Sequence, residues 1–189
     1  AGTLIATHST ALGTGGLNGA TMTWIRAGAT LALRGDISMN EHLHVLGTGV
    51  GGLGAIRNLA GANALTMTIG LDGDTTIGVN AGTLTLTNAL YGDGALNASN
   101  LTKVGNGVLV LSGTNLYSGV TVFAGGVVQA TTLADNGTAS SLGVGTGDPG
   151  GDSIGLLFRG GALRYAGSTA QTTDRAIRLS TSGGGGTID

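Results

Sequence analysis

Aliphatic and small polar residues alternate along much of this chain, most clearly in Leu84-Thr85-Leu86-Thr87, Leu65-Thr66-Met67-Thr68-Ile69 and Val108-Leu109-Val110-Leu111-Ser112. A period of two places the aliphatic side chains on one face and threonine or serine on the other, which predicts strands. Gly, Asn, Asp and Ser punctuate these runs and supply positive φ or side-chain turns where the chain bends. No segment of twelve or more residues carries a capped helical stripe, so the expected helix content is near zero.

The runs recur. A small residue leads into an aliphatic at Gly2-Thr3-Leu4, Gly28-Ala29-Thr30-Leu31, Gly82-Thr83-Leu84, Gly107-Val108-Leu109, Gly125-Gly126-Val127 and Gly161-Ala162-Leu163. The aliphatics at 4, 31, 84, 109, 127 and 163 are separated by 27, 53, 25, 18 and 36 residues, with 53 reading as two intervals together. A longer self-match relates Ala1–Gly13 to Ala124–Gly143, offset by 123 residues at its start. Periods in the low twenties predict a solenoid. At about 22 residues per coil the chain makes eight or nine coils, a rod about 40 Å long at the spacing of neighbouring strands.

Composition narrows the choice. Six aromatics serve 189 residues, too few for the core of a β-sandwich but suited to a narrow solenoid filled by Leu, Val, Ile and Ala. With 10% charged and 41% hydrophobic residues the chain has the opposite balance to a disordered one. Its 39 glycines follow no strict triplet, which excludes collagen. There is no Cys, hence no disulfide and no thiolate metal site. A formal charge of −2 and a single lysine, Lys103, leave no basic surface for nucleic acid. No stretch approaches the ~18 apolar residues of a membrane-spanning helix. The chain starts without Met or a signal-like segment, and both ends read as the beginnings of strands. We expect one β-helix segment, residues 1–189, of a longer or polymerising chain.

The run Leu101-Thr102-Lys103-Val104-Gly105-Asn106-Gly107-Val108-Leu109-Val110-Leu111-Ser112-Gly113-Thr114-Asn115-Leu116-Tyr117-Ser118-Gly119 closely resembles the autotransporter-associated β-strand repeat, which reads approximately LTKxGxGxLxLSGxNxYSG. Thr121-Val122-Phe123-Ala124-Gly125-Gly126-Val127-Val128-Gln129 fills the TxxxAGxLQ segment that follows, with Gly126-Val127 where the family usually has Thr-Leu. The motif is centred on 101–130. Its flanks, such as Asp74-Thr75-Thr76-Ile77-Gly78 and Gly161-Ala162-Leu163-Arg164-Tyr165, resemble segments that surround the repeat, more strongly over 60–189 than over 1–59. The resemblance implies a right-handed, single-stranded parallel β-helix in a secreted or cell-surface bacterial protein, outer-membrane-associated or in the extracellular matrix.

Several short motifs carry competing chemical readings. Gly47-Thr48-Gly49-Val50-Gly51-Gly52 matches the dinucleotide fingerprint, with Asp72 twenty residues beyond it, but the following Leu53–Leu59 is too short and Gly-broken to be the required helix. Glu41-His42-Leu43-His44 puts two imidazoles on one strand face, where a metal could bridge them; the plainer reading is a solvated outer face without a third ligand, His8 lying far off. Gly151-Asp152-Ser153-Ile154 is similar to the nucleophile block of certain lipases and esterases, yet no His follows His44 to act as base. Asp72-Gly73-Asp74 and Asp148-Pro149-Gly150-Gly151-Asp152 offer oxygens to Ca²⁺, without the spacing of known calcium loops. Arg34-Gly35-Asp36 spells a cell-attachment tripeptide. Asn97-Ala98-Ser99, Asn100-Leu101-Thr102 and Asn136-Gly137-Thr138 fit the glycosylation pattern, though for a bacterial protein Asn or Thr stacking between coils is the preferred role. Trp24 and Tyr117 are either sugar-stacking platforms or covers for the core and turns.

We therefore read a structural module with no catalytic, cofactor-binding or metal-ligating residue, and no cofactor. It acts as a rigid stalk or adhesin shaft of an autotransporter-like passenger. Its expected partners are further coils or other copies at both ends and host or matrix surface ligands, with no nucleic acid and no membrane insertion of this segment. The alternatives are a subunit that stacks end to end into an extracellular filament, and a polysaccharide-acting β-helix enzyme, which needs carboxylates or basic groups clustered in a groove.

Overall fold

The computed structural model describes residues 2–13, 22–92, 98–145, 155–180 and 185–189. Among the described residues eighteen strands form two sheets in which every strand pair is parallel. Parallel pairing between consecutive turns of one chain is the defining arrangement of a β-solenoid. The only helical element among the described residues is a three-residue 3-10 turn, Val50–Gly52. No described helix is long and apolar enough to cross a membrane.

The first face stacks eight rungs. Leu4, Leu31, Ile56, Ile77, Lys103, Phe123, Phe158 and Leu179 lie in register, one per coil. Successive rungs on this line are 20 to 27 residues apart, except for 35 between Phe123 and Phe158. Eight rungs span about 34 Å between the first and last at about 4.8 Å each. The second face is the seven-stranded sheet, with ladders such as Met39–Leu65–Leu86–Leu111–Ala130 and Leu84–Leu109–Val128–Leu163. A third, shorter face carries Thr23–Ile25, Leu43–Gly47, the first half of Ile69–Val79, and Leu90–Gly92. The strand Ile69–Val79 bends at Gly73 (φ 151°), so Ile69–Leu71 pairs on the third face and Thr75–Val79 on the first.

Alternation decides which side chains enter the column. In Val108–Leu111 and Thr83–Leu86 the leucines are buried and the residues between them half-exposed. Each buried Leu, Ile or Phe contributes about 1.5–3 kcal/mol relative to an exposed one. Phe123 and Phe158, adjacent rungs, stack with ring centroids 4.5 Å apart. At the corner between the first and second faces a left-handed glycine is required. Gly82 has φ 69°, and a Cβ there would clash with the carbonyl oxygen of Gly61 in the coil before.

The structure corrects three details of the sequence reading. The six recurring aliphatics do not share a face: Leu4 and Leu31 belong to the first, Leu84, Leu109 and Leu163 to the second. The inward residue beside Val127 is Val128, which pairs with Leu109. Hence the match between Ala1–Gly13 and Ala124–Gly143 does not relate equivalent coils, since Gly2–Ala6 lies on the first face and Val127–Ala130 on the second. Finally, Leu65–Ile69 is not one strand. Leu65 ends the strand Ala62–Leu65, residues 66–68 turn the corner, and Ile69 starts the next strand.

The long interval after Phe123 leaves extra chain on the side of the column. Residues 131–145 fold back on themselves and are pinned by Arg175, which is 4% exposed. Its guanidinium donates to the carbonyls of Ala134 (3.1 Å), Thr138 (2.9 Å), Leu142 (2.7 Å) and Gly143 (2.7 Å). No carboxylate ion-pairs with it among the described residues; backbone carbonyls supply most of its partners, with the Ser140 hydroxyl at 3.4 Å. Burial lowers its proton affinity, and Tyr117, Asp174 and Asp135 oppose that shift.

Candidate functional site

The side chains with the most chemistry converge on the outside of the third face. Trp24, His44, Gly70 and Tyr91 occupy one register line across four coils. Leu43 and Val45 point inward from the same strand, so His42 and His44 both project outward. Their rings meet edge to face with centroids 5.9 Å apart. Tyr91 reaches back from two coils further on, its hydroxyl 3.1 Å from His42 Nε2 and 3.3 Å from His44 Nε2. Gly70, in the coil between, makes this possible: a Cβ there would stand 2.9 Å from the His44 ring and 3.0 Å from the Tyr91 hydroxyl.

The outer ring nitrogens are engaged as well. His44 Nδ1 lies 2.7 Å from Asp72 Oδ1, and His42 Nδ1 lies 2.8 Å from Thr68 Oγ1. For neutral imidazoles one direction of hydrogen bonding follows, because a carboxylate only accepts. His44 Nδ1–H donates to Asp72, the Tyr91 hydroxyl donates to His44 Nε2, His42 Nε2–H donates to Tyr91, and the Thr68 hydroxyl donates to His42 Nδ1. Burial, reinforced by the charge of Asp72, raises the proton affinity of the Tyr91 phenol and keeps it a donor. Trp24 stacks on His44 at 4.1 Å, with the Arg26 guanidinium 4.5 Å from the indole centroid.

The expectation that Glu41-His42 forms a solvated outer face is overturned: Glu41 is 1% and His42 8% exposed. Neighbouring coils cover them, a burial that no local pattern signals. Glu41 Oε1 accepts from the Thr23 hydroxyl at 2.8 Å, while Oε2 is buried without a hydrogen-bond partner. Among the described residues no three His, Cys, Asp or Glu side chains gather as a metal cluster. Tyr91, Asp72 and Thr68 were not joined to the histidines by sequence reasoning. The coil spacing that aligns Trp24, His44 and Tyr91 is the signal that could have found Tyr91.

The other motifs serve the scaffold. Gly47–Gly52 leads through its 3-10 turn into the strand Ile56–Asn58, where a dinucleotide fold would place a helix. The Thr30 hydroxyl accepts from Val50 N–H at 2.9 Å and donates to the Gly54 carbonyl at 2.8 Å, closing that loop. In Arg34-Gly35-Asp36 the Asp36 carboxylate accepts from Ala62 N–H of the next coil at 2.6 Å. Asp72 and Asp74 point to different tasks, Asp74 Oδ1 accepting from Asn100 N–H at 2.9 Å. Asn100 in turn accepts from Val120 N–H at 2.7 Å, a bridge between coils. Asn136 N–H donates to Asp174, and Asn136 Oδ1 is buried without a partner. Tyr117 is fully buried, bonded to Thr121 at 2.8 Å, with its phenol pushed up to about 12 by burial. Trp24 is 44% exposed and His8 lies on an exposed turn. Asn97, Asp148–Asp152 and Gly151–Ile154 lie outside the described residues.

Parallel rungs, a leucine-rich interior and corner glycines define a parallel β-helix. Residues 101–130 match the passenger-associated-transport-repeat family. The chain is also similar to the adhesin BmaC autotransporter of Brucella suis biovar 1 (strain 1330), 34% identical over 155 residues, which cover 82% of this chain and 4% of that protein. No solved structure matches the chain. The chain thus carries a passenger-associated-transport repeat within a β-helix of the autotransporter-passenger type, the type found in secreted, cell-surface proteins.

Proposed function

We propose that this segment is a rigid, non-enzymatic length of shaft in an adhesin-like passenger, which holds binding regions away from the cell. One observation carries the reading: eight rungs stack in register on the first face over a largely apolar interior, broken on that line by Lys103 alone among the described residues. Load along such a column is shared by many parallel hydrogen bonds between coils, and each coil rests only on its neighbours. The adhesin relative supports the setting, since the chain corresponds to a small part of a very long protein of that kind.

The test is an exchange in the full-length protein. Residues 1–189 are replaced by an unrelated β-helix of eight rungs, and surface display and adhesion of the cells are measured. A shaft predicts that both persist. Loss of adhesion with display intact overturns the reading and assigns ligand binding to this segment.

A second reading is end-to-end assembly of copies into a filament, since the parallel ladders that join one coil to the next could equally join one copy to another. Negative-stain imaging at rising concentration separates the two: particles of constant short length support the shaft, and progressive lengthening supports the filament. An enzymatic reading would require turnover of a polysaccharide that an Asp substitution abolishes.

A further inference from the structure

We propose that His42, His44 and Tyr91 form a site for one divalent transition-metal ion of the imidazole-preferring kind, copper or zinc, on the side of the shaft. Nothing in the shaft reading requires these groups. The two Nε2 atoms of a His-x-His pair converge on one oxygen donor, at 3.1 and 3.3 Å. Both Nδ1 atoms are turned away and tied, His44 to Asp72 at 2.7 Å and His42 to Thr68 at 2.8 Å. Imidazoles held from behind by a carboxylate or another polar group, with the remaining nitrogen presented forward, are the arrangement by which proteins orient metal-binding histidines. Two imidazole nitrogens and a phenol oxygen suit Cu²⁺ or Zn²⁺, and water completes four-coordination. The His44 side chain is 16% exposed, so the cluster lies within reach of solvent.

Binding needs two proton shifts and no change of backbone. The His42 proton moves from Nε2 to Nδ1, whereupon the Thr68 hydroxyl accepts where it formerly donated. The Tyr91 phenol gives its proton to solvent as its oxygen becomes a ligand. His44 already presents a bare Nε2. Ligand atoms about 2.0–2.1 Å from a tetrahedral ion stand about 3.3–3.4 Å apart, close to the 3.1 and 3.3 Å that separate Tyr91 from the two imidazoles.

The test adds Cu²⁺ to the 189-residue chain in the presence of glycine as a competing chelator. The expected result is one tightly held equivalent, with paramagnetic-resonance splitting from two imidazole nitrogens and a visible tyrosinate-to-copper charge-transfer band. Tyr91→Phe should abolish the band and keep weakened binding. Asp72→Asn should weaken binding about 10–100-fold, and His8→Gln should leave it unchanged. Absence of a bound equivalent, or binding that survives the combined His42→Gln and His44→Gln changes, overturns the site. Imidazole ¹⁵N spectra of the unaltered chain with Zn²⁺ give a reading independent of any variant's folding. Shifts at Nε2 of both His42 and His44 support the site, whereas shifts at His8 alone, or none, refute it.

Discussion

The ammonium of Lys103 lies 3.0 Å from the carbonyl oxygen of Gly125, one coil further on, although Lys103 occupies an interior rung between Ile77 and Phe123. Its other two bonds go to the carbonyls of Val104 (3.0 Å) and Gly105 (2.8 Å). The only lysine of the chain is therefore a tie between two corner turns, placed where the other coils carry a hydrocarbon.

Burial holds the Lys103 ammonium at about 8, below the ordinary lysine value of 10.5. Between those values the unfolded chain keeps a proton that the folded chain has lost. Stability should therefore rise with pH across that window and be insensitive to this group below it. Denaturant unfolding at pH 7, 9 and 10 should show the rise in the natural chain and its absence in Lys103→Met. Equal pH profiles for the two would refute the assignment.

Gly82→Ala should cost about 3 kcal/mol or more, because the left-handed backbone is penalised and the new methyl meets the Gly61 carbonyl. Gly137 provides the control. It is also left-handed (φ 85°) but nothing lies within 4 Å of an added Cβ, so Gly137→Ala should cost only about 1–2 kcal/mol. Urea midpoints of the two variants compare them directly.

Arg175→Lys should free the 131–145 segment without dissolving the column. An ammonium cannot reach all the carbonyls that the planar guanidinium fork serves. Hydrogen exchange should speed up at the amides of Gly137, Asn115 and Val144, which bond within or against this loop. The amides of Val108–Leu111 should keep their protection.

Phe158→Ala should destabilise by about 3–5 kcal/mol, since the ring is buried and stacked on Phe123. Leu179 is the next rung of the same ladder but is 61% exposed, so Leu179→Ala should change stability by less than about 0.5 kcal/mol. Thermal melts distinguish a gradient of burial along the ladder from a uniform core.

Much of the fold was legible because its cues are local. The alternation in Val108–Leu111 states which side chains turn inward, and Gly82 and Gly105 mark corners by their need for positive φ. Register was harder. Corner segments differ in length, so the 20-to-35-residue steps along the first face blur any single period, and the recurring aliphatic Val127 lies beside the inward position, which Val128 fills. The candidate site was legible only as His42-Leu43-His44. Tyr91, Asp72 and Thr68 come from other coils, and Gly70 contributes by lacking a side chain.

The sequence by itself determined a strand-rich, cysteine-free, coil-by-coil chain and the passenger repeat at 101–130, since period, turn chemistry and motif are all written within about one coil's length. Only the tertiary structure decided which residues lie one above another. Parallel hydrogen bonding aligns backbones, not residue numbers, and thereby brought a lysine and an arginine under backbone carbonyls and two histidines around one phenol.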